Sequence, residues 1–291
     1  MDEFELATAF ETHRARLRAV GYRLLGSLSD ADDAVQESWL RLARNHARAD
    51  VPEIENLGGW LTTVVARISL NMLRARASHA VTMPDPIVTA DVALQPEEQA
   101  MLADSVGLAL LVVLDTLGPA ERIALVLHDS FGVGFDEIAA LTGGTVSAAR
   151  QSASRARRRV QGASVPTPEP DRRRQRAVVD AFFRAANGGD FEGLLAVLHP
   201  EVVLRSDFGG RRVPVPSVVR GADAVAGQAA MFSNPDAELR PVLVNGAAGV
   251  VVLVAGRPLA LMAFTVVDDR VVAVDAIADP ERVARIAAAV L

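Results

Sequence analysis

Ser147, Gln151, Arg155 and Arg158 recur along residues 146–160, flanked by Arg150, Ser154 and Arg159. At 100° per residue they share the side of a helix opposite the small apolar series Val146, Ala149, Ala153, Ala156 and Val160. Arg and Gln can read the edges of guanine and adenine in the major groove, while Ser and further Arg can hold phosphate. That is the chemistry of recognition, not of bond making. The bland alternative is a solvated, Arg-rich helix in a bundle. A second row, Trp60, Thr63, Arg67, Asn71 and Arg74, with Arg76 beyond it, combines an aromatic, a hydroxyl, an amide and guanidiniums. Such a row suits a single nucleic-acid strand, because Arg neutralises phosphate and an exposed base stacks on an aromatic or an Arg plane. It also fits an amphipathic helix whose Trp60 belongs to the core.

Both rows need helices to present them. Phe135, Ile138, Ala139 and Leu141 give a short helix an apolar face, Thr142-Gly143-Gly144 supplies a tight turn, and Thr145 stands where an N-cap is required. The result is a helix–turn–helix whose second helix carries the first row. The second row lies on a predicted helix over 60–76 with Leu61, Val64, Val65, Ile68 and Met72 as its buried stripe. Helical periodicity also covers 5–25, 31–46, 98–117, 119–131, 172–187 and 190–198. The apolar stretches 201–205, 241–254, 258–267 and 270–277 read as strands of a mostly antiparallel sheet, with Gly256-Arg257 and Asp268-Asp269 as hairpin turns. Segment 77–97 lacks periodicity, and 161–171 places Pro166, Pro168 and Pro170 in a stiff polar spacer. The chain is therefore read as multidomain: two all-α modules, the second with the helix–turn–helix, and a C-terminal α+β module.

The 291 residues suit two or three domains, and 50% hydrophobic content is ample for packed cores. There is no cysteine, hence neither disulfide nor thiolate metal site. The opening MDEFELATAFETHR lacks the apolar core of a signal peptide, and no window reaches the roughly 18 apolar residues that span a bilayer. A cytoplasmic protein without membrane association is expected. The net charge of −6 argues against indiscriminate nucleic-acid binding, but its distribution is uneven. Residues 144–176 hold nine Arg against two acids, whereas 81–121 hold seven acids and no Arg.

Taken together, residues 5–160 resemble an extracytoplasmic-function σ factor. YRLLGSLSDADDAVQESWLRL (22–42) is similar to the second conserved σ region, WLTTVVARISLNMLR to the segment that melts and reads the −10 element, and 117–160 to the fourth region, which reads the −35 element. The resemblance implies that Asp32, Asp33, Gln36 and Glu37 face the polymerase clamp; local chemistry alone reads Asp30 as an N-cap and these acids as ordinary first-turn residues. It implies that Trp60, Thr63, Arg67, Asn71 and Arg74 meet the −10 strand. Ser147, Arg150, Gln151, Ser154, Arg155 and Arg158 would meet the −35 duplex. The partners implied are the β and β′ subunits of core RNA polymerase and promoter DNA. The domains expected are 1–78 and 98–160 for the two σ regions, 79–97 for an acidic linker, 161–171 for the Pro-rich linker and 172–291 for the last module.

Residues 176–210 resemble the opening of the SnoaL-like, ketosteroid-isomerase-like cone fold. A subgroup of these σ factors carries such a domain as a built-in regulator. Its linker motif Trp-Leu-Pro-Glu-Pro corresponds here to Thr82-Met83-Pro84-Asp85-Pro86, and its Asp-Gly-Gly-Gly-Lys motif to Asp207-Phe208-Gly209-Gly210-Arg211; Asn245-Gly246 also fits. Pro84, Asp85, Pro86, Asp207, Gly209, Gly210 and Arg211 are accordingly regulatory candidates. A cone-fold enzyme needs an acid or base in its pocket. The candidates are His199, Asp207, Asp275 and Asp279; His199 also reads as a helix end, Asp207 as part of a Gly-rich loop and Asp279 as the start of the last helix, and Asp275, inside the apolar run VVAVDAIA, is the foremost, although strand alternation also allows it to face solvent. No metal set, nucleophile triad or phosphate loop is discernible, so no cofactor and no catalysis are expected, and the last module is open to a small ligand or a protein partner. The competing reading is a ligand-sensing helix–turn–helix repressor, which leaves 22–76 without a role.

Overall fold

The computed structural model describes residues 3–47, 54–76, 83–91, 107–162, 169–209, 211 and 213–291. They divide into two compact units. One holds the described residues up to 85 together with 110–162; the other holds 86–91, 107–109 and 169–291.

The first unit is all helical. Helices α1 (Glu3–Leu25), α2 (Leu28–His46) and α3 (Leu57–Arg76) pack on one another through Phe10, Leu17, Leu24, Leu42, Leu61 and Leu70, each at most 1% exposed. Ser27, not Asp30, caps α2: the Ser27 hydroxyl accepts from the Asp30 N–H, so Asp30 sits within the first turn. Helix α4 (Leu108–Asp115), whose first two residues fall in the second unit, α5 (Pro119–Leu125), a π-turn at Val126–Ser130, α6 (Phe135–Thr142) and α7 (Val146–Gly162) follow. Gly143 ends α6 at φ 76°, where a side chain would be strained, and Thr145 Oγ1 accepts from the Ala148 N–H to start α7. The helix–turn–helix thus has the caps read from its sequence.

Helix α3 also packs against α5 and α6, which explains why more of it is buried than a single stripe: Thr62, Ala66, Ser69 and Leu70 are buried beside Leu61, Val65 and Ile68. Arg122 of α5 is 1% exposed, its Nη1 2.7 Å from Asp115 Oδ1 and its Nε directed at the Arg23 carbonyl. A buried guanidinium is tolerated only with such partners.

The second unit is α+β. Strand β1 (Val88–Ala90) is followed by α8 (Arg172–Gly188), α9 (Phe191–Val197), β2 (Leu198–Asp207), β3 (Val218–Arg220), α10 (Ala222–Phe232), β4 (Glu238–Val244), β5 (Ala247–Val254), β6 (Arg257–Val267), β7 (Arg270–Ile277) and α11 (Pro280–Ile286). The sheet order is β1-β4-β5-β6-β7-β2-β3, antiparallel except for the parallel pair β2–β7. The apolar stretch 241–254 is not one strand. Asn245 and Gly246, both at positive φ, turn it into the β4–β5 hairpin, as Asn-Gly favours. Side chains on one sheet face pack with α8, α9 and α10 in a core that includes Phe182, Leu198, Val225 and Phe264.

Candidate functional site

The proposed duplex-reading row lies in solvent. Ser147, Arg150, Gln151, Ser154, Arg155 and Arg158 are all exposed, while Ala149, Ser152, Ala153 and Ala156 seat α7 on its neighbours. Val146 departs from the expected inner face and is exposed, because it opens the helix before the contact begins. The guanidiniums are not all idle. Arg155 and Arg159 share the Glu121 carboxylate, Arg157 pairs with Asp129 at 2.6 Å, and Arg150 stacks over the Phe135 ring. None of these acids was singled out from the sequence. Glu121 also reaches the Gly118 N–H and so serves the start of α5.

On α3, Arg67, Asn71 and Arg74 are exposed and lie along one side, whereas Trp60 and Thr63 are half-buried. Thr63 Oγ1 donates to the Gly59 carbonyl, so its hydroxyl is engaged by its own helix. The side chain of Arg76 is outside the described residues. On α2, Asp32, Asp33 and Gln36 are exposed and Glu37 is half-buried. Asp32 forms a two-point pair with Arg18, and Glu37 pairs with Arg41. Leu40, one turn beyond Gln36 and Glu37, is 40% exposed and adds an apolar side chain to this face that sequence reasoning did not single out.

The regulatory candidates separate. Asp85 N–H donates to the Gly26 carbonyl and Tyr22 Oη to the Asp85 carbonyl, while Pro84 lies against Gly26, all within the first unit. From Pro86 onward the segment belongs to the second unit. Ile87 N–H donates to Asn245 Oδ1 (2.7 Å), and Asn245 N–H returns a bond to the Ile87 carbonyl (2.8 Å). Val88, Thr89 and Ala90 then pair antiparallel with Val244, Leu243 and Val242. Arg176 of α8 closes the far end, reaching Asp91 Oδ2 and the carbonyls of Val242 and Gly249. Residues 86–91, expected to be linker, thus cover the edge of β4, whose unpaired backbone groups would otherwise be open.

Asp207, Gly209 and Arg211 lie away from this strand's partners. Asp207 pairs with Arg282 at 2.6 Å, Gly209 turns at φ 60° beside Asp279, and Arg211 is exposed at the rim of a cavity. Gly210 is outside the described residues.

That cavity lies between the sheet and helices α8 and α10. The expectation that Asp275 faces it is overturned. Alternation along β7 turns Val274 and Ala276 into the cavity and Asp275 to the opposite face, where it is 2% exposed and held by Arg205 at 2.9 Å. Burial pushes the Asp275 carboxyl above its ordinary range, and Arg205 offsets only part of that. Asp279 caps α11, Asp207 is paired, and His199 Nδ1 accepts from the Glu201 N–H. No Asp, Glu or His lines the cavity among the described residues. No helix among them is long and apolar enough to cross a membrane.

Comparison with known proteins agrees with this geometry. The family model "Sigma-70 region 2" matches residues 9–79, "Sigma-70, region 4" matches 107–160, and "SnoaL-like domain" matches 179–286. The chain is 38% identical over 224 residues to the ECF RNA polymerase sigma factor SigJ of Mycobacterium tuberculosis, covering 74% of this chain and 69% of that one. It is 34% identical over 259 residues to the probable ECF RNA polymerase sigma factor SigI of the same species, covering 82% and 87%. The crystal structure of that SigJ superposes with a TM-score of 0.71 at 34% identity, over 95% of this chain and 98% of that one.

Proposed function

Because the chain belongs to the extracytoplasmic-function RNA polymerase σ factors, we propose that its SnoaL-like unit modulates initiation by capturing the segment that joins its two promoter-reading modules. As an alternative σ factor it binds core RNA polymerase and directs it to specific promoters. The finer assignment rests on one observation: residues 88–90, between the two σ regions, form an edge strand of the C-terminal sheet, and Asn245 holds Ile87 just ahead of it. A σ factor reads the −10 and −35 elements together, so the free length of chain between its readers governs which arrangements it can reach. Pairing 88–90 to β4 removes part of that length.

The residue roles follow from exposure and chemistry. Asp33, Gln36, Glu37 and Leu40 offer the polymerase an acidic face with an apolar end. Arg67, Asn71 and Arg74 suit the −10 strand, with Trp60 and Thr63 at the margin of that face. Ser147, Gln151, Arg155 and Arg158 suit base edges, with Arg150 and Ser154 on phosphate. The site of action is the cytoplasm, where the polymerase works. The C-terminal unit acts as a modulator; among the described residues no Asp, Glu or His lines its cavity. A free-standing repressor would leave α2 and α3 without purpose.

Run-off transcription with core polymerase tests this reading, comparing the full chain with one ending at Gly162. Specific transcripts from both, at different levels or from different promoters, are expected. Indistinguishable transcription from the two would remove the modulating role.

A further inference from the structure

Phe135 is not the core residue that its place in the helical pattern suggests. Ile138, Ala139 and Leu141 of α6 are buried, whereas Phe135, which opens the same helix, is half-buried. Its ring is engaged elsewhere. The His128 imidazole stacks on it, with centroids 3.9 Å apart and planes 26° from parallel. The Arg150 guanidinium of α7 lies over the ring at 5.7 Å from its centroid, within the roughly 6 Å at which an aromatic face attracts a cation.

His128 is itself fixed. Its Nδ1 lies 3.0 Å from the Val133 carbonyl, and since a carbonyl only accepts, Nδ1 carries the proton and donates. Gly132, at φ 69°, gives its N–H to the His128 carbonyl, and the Val133 N–H goes to the Leu127 carbonyl. The loop before α6 is thereby folded back onto the π-turn that bears the imidazole, and the Phe135 ring rests on an anchored support.

Arg150 is held differently from its neighbours on α7. Arg155 and Arg159 are paired with Glu121 and Arg157 with Asp129, pairs that DNA contact would have to exchange. Arg150 makes no ion pair among the described residues, although Asp136 and Glu137 stand exposed on α6 next to Phe135. Attraction to an aromatic face draws on the charge and leaves the N–H donors open to phosphate oxygens. It also restricts a long side chain in advance, so less freedom is lost on binding.

We propose that Phe135 is a positioning residue for the −35 duplex, its ring holding Arg150 ready for a backbone phosphate. The inference rests on the reading of Arg150 as a phosphate contact, and its test separates the two.

Fluorescence anisotropy of holoenzyme on promoter duplexes, across a salt series, measures both. Arg150→Ala should weaken binding equally for all −35 sequences and lower the salt slope by about 1. Phe135→Leu should weaken binding about two- to fivefold, the worth of an exposed cation–π contact, and should have no effect in the Arg150→Ala background. Phe135→Tyr, which keeps the ring, should bind as the wild type does. Phe135→Met takes the place of Phe135→Leu if circular dichroism shows the latter misfolded. Unchanged affinity and salt slope in Arg150→Ala would sink the phosphate reading, and the proposal with it. If Arg150→Ala behaves as expected, three results would each overturn the positioning role alone: equal weakening by Phe135→Leu in both backgrounds, wild-type affinity of Phe135→Leu, or a Phe135→Tyr variant that binds no better than Phe135→Leu.

Discussion

Arg155 of α7 and Glu121 of α5 are joined at 3.0 Å, and the second oxygen of the same carboxylate takes Arg159, also at 3.0 Å. A guanidinium proposed to meet promoter DNA is therefore shared, in the free protein, with an acid of its own module. Contact with a base must exchange that pair for a bidentate one to guanine.

Two substitutions separate these roles. Arg155→Ala should weaken −35 binding by roughly 1–3 kcal/mol at one base position. Glu121→Gln, which retains size and removes charge, should strengthen binding and steepen its salt dependence, because it frees two cations. Fluorescence anisotropy of holoenzyme on promoter duplexes measures both; an equal loss on all sequences in Arg155→Ala would make it a phosphate contact.

Asn245 occupies φ 49°, a conformation glycine adopts without strain, so Asn245→Gly keeps the hairpin and removes only the side chain. The buried Ile87 N–H then loses its acceptor, at a cost of about 1–3 kcal/mol. Hydrogen exchange at 87–90 should accelerate while β5–β7 stay protected. Unchanged exchange at 87–90 would mean that the β4 pairing alone holds the strand.

The acids proposed to face the polymerase should not contribute equally. Asp32 is committed to Arg18, whereas Asp33 makes no ion pair among the described residues. Asp33→Ala and Leu40→Ala should each weaken binding to core polymerase more than Asp32→Ala does. Titration of labelled core polymerase would show the order, and an Asp32 variant that loses most would reverse it.

Asp275 gives a pH signature opposite to that of an ordinary ion-paired acid. Its folded pKa is raised from 3.8, so between that value and the raised one the folded state holds the proton more tightly. Its contribution to stability is greatest below the unfolded pKa and declines as pH rises through the window, then levels. Calorimetry of the full chain should show Asp275→Asn removing this decline. A wild-type transition that gains stability across the same window, by an amount lost in Asp275→Asn, would contradict it.

Much of this architecture is visible in the residues themselves. Thr145, Gly143 and the small inner face of α7 are local signals, so the helix–turn–helix and its outward row can be read from sequence. So can the strands near 258–277, whereas most of the spacer expected at 161–171 lies outside the described residues. What is hidden depends on distant pairing. Residues 88–90 carry no strand period long enough to notice and become a strand only because β4, more than 150 positions away, offers an edge. Asn245-Gly246 is a strong hairpin signal, yet inside a long apolar run it is easily absorbed into one strand. Asp275 appears pocket-facing until its register with Val274 and Ala276 is known, and Phe135 reads as core until its ring is found against His128 and Arg150. Glu121 is invisible as a partner of Arg155 until α5 and α7 are packed.

The most direct test of linker capture is run-off transcription from a promoter series in which the spacer between the −35 and −10 elements is varied, comparing the full chain with Asn245→Gly. If Asn245 holds the segment between the two readers, the variant will accept a broader range of spacers or shift its preferred one. Identical spacer profiles, with exchange confirming that 87–90 has been released, would contradict the account.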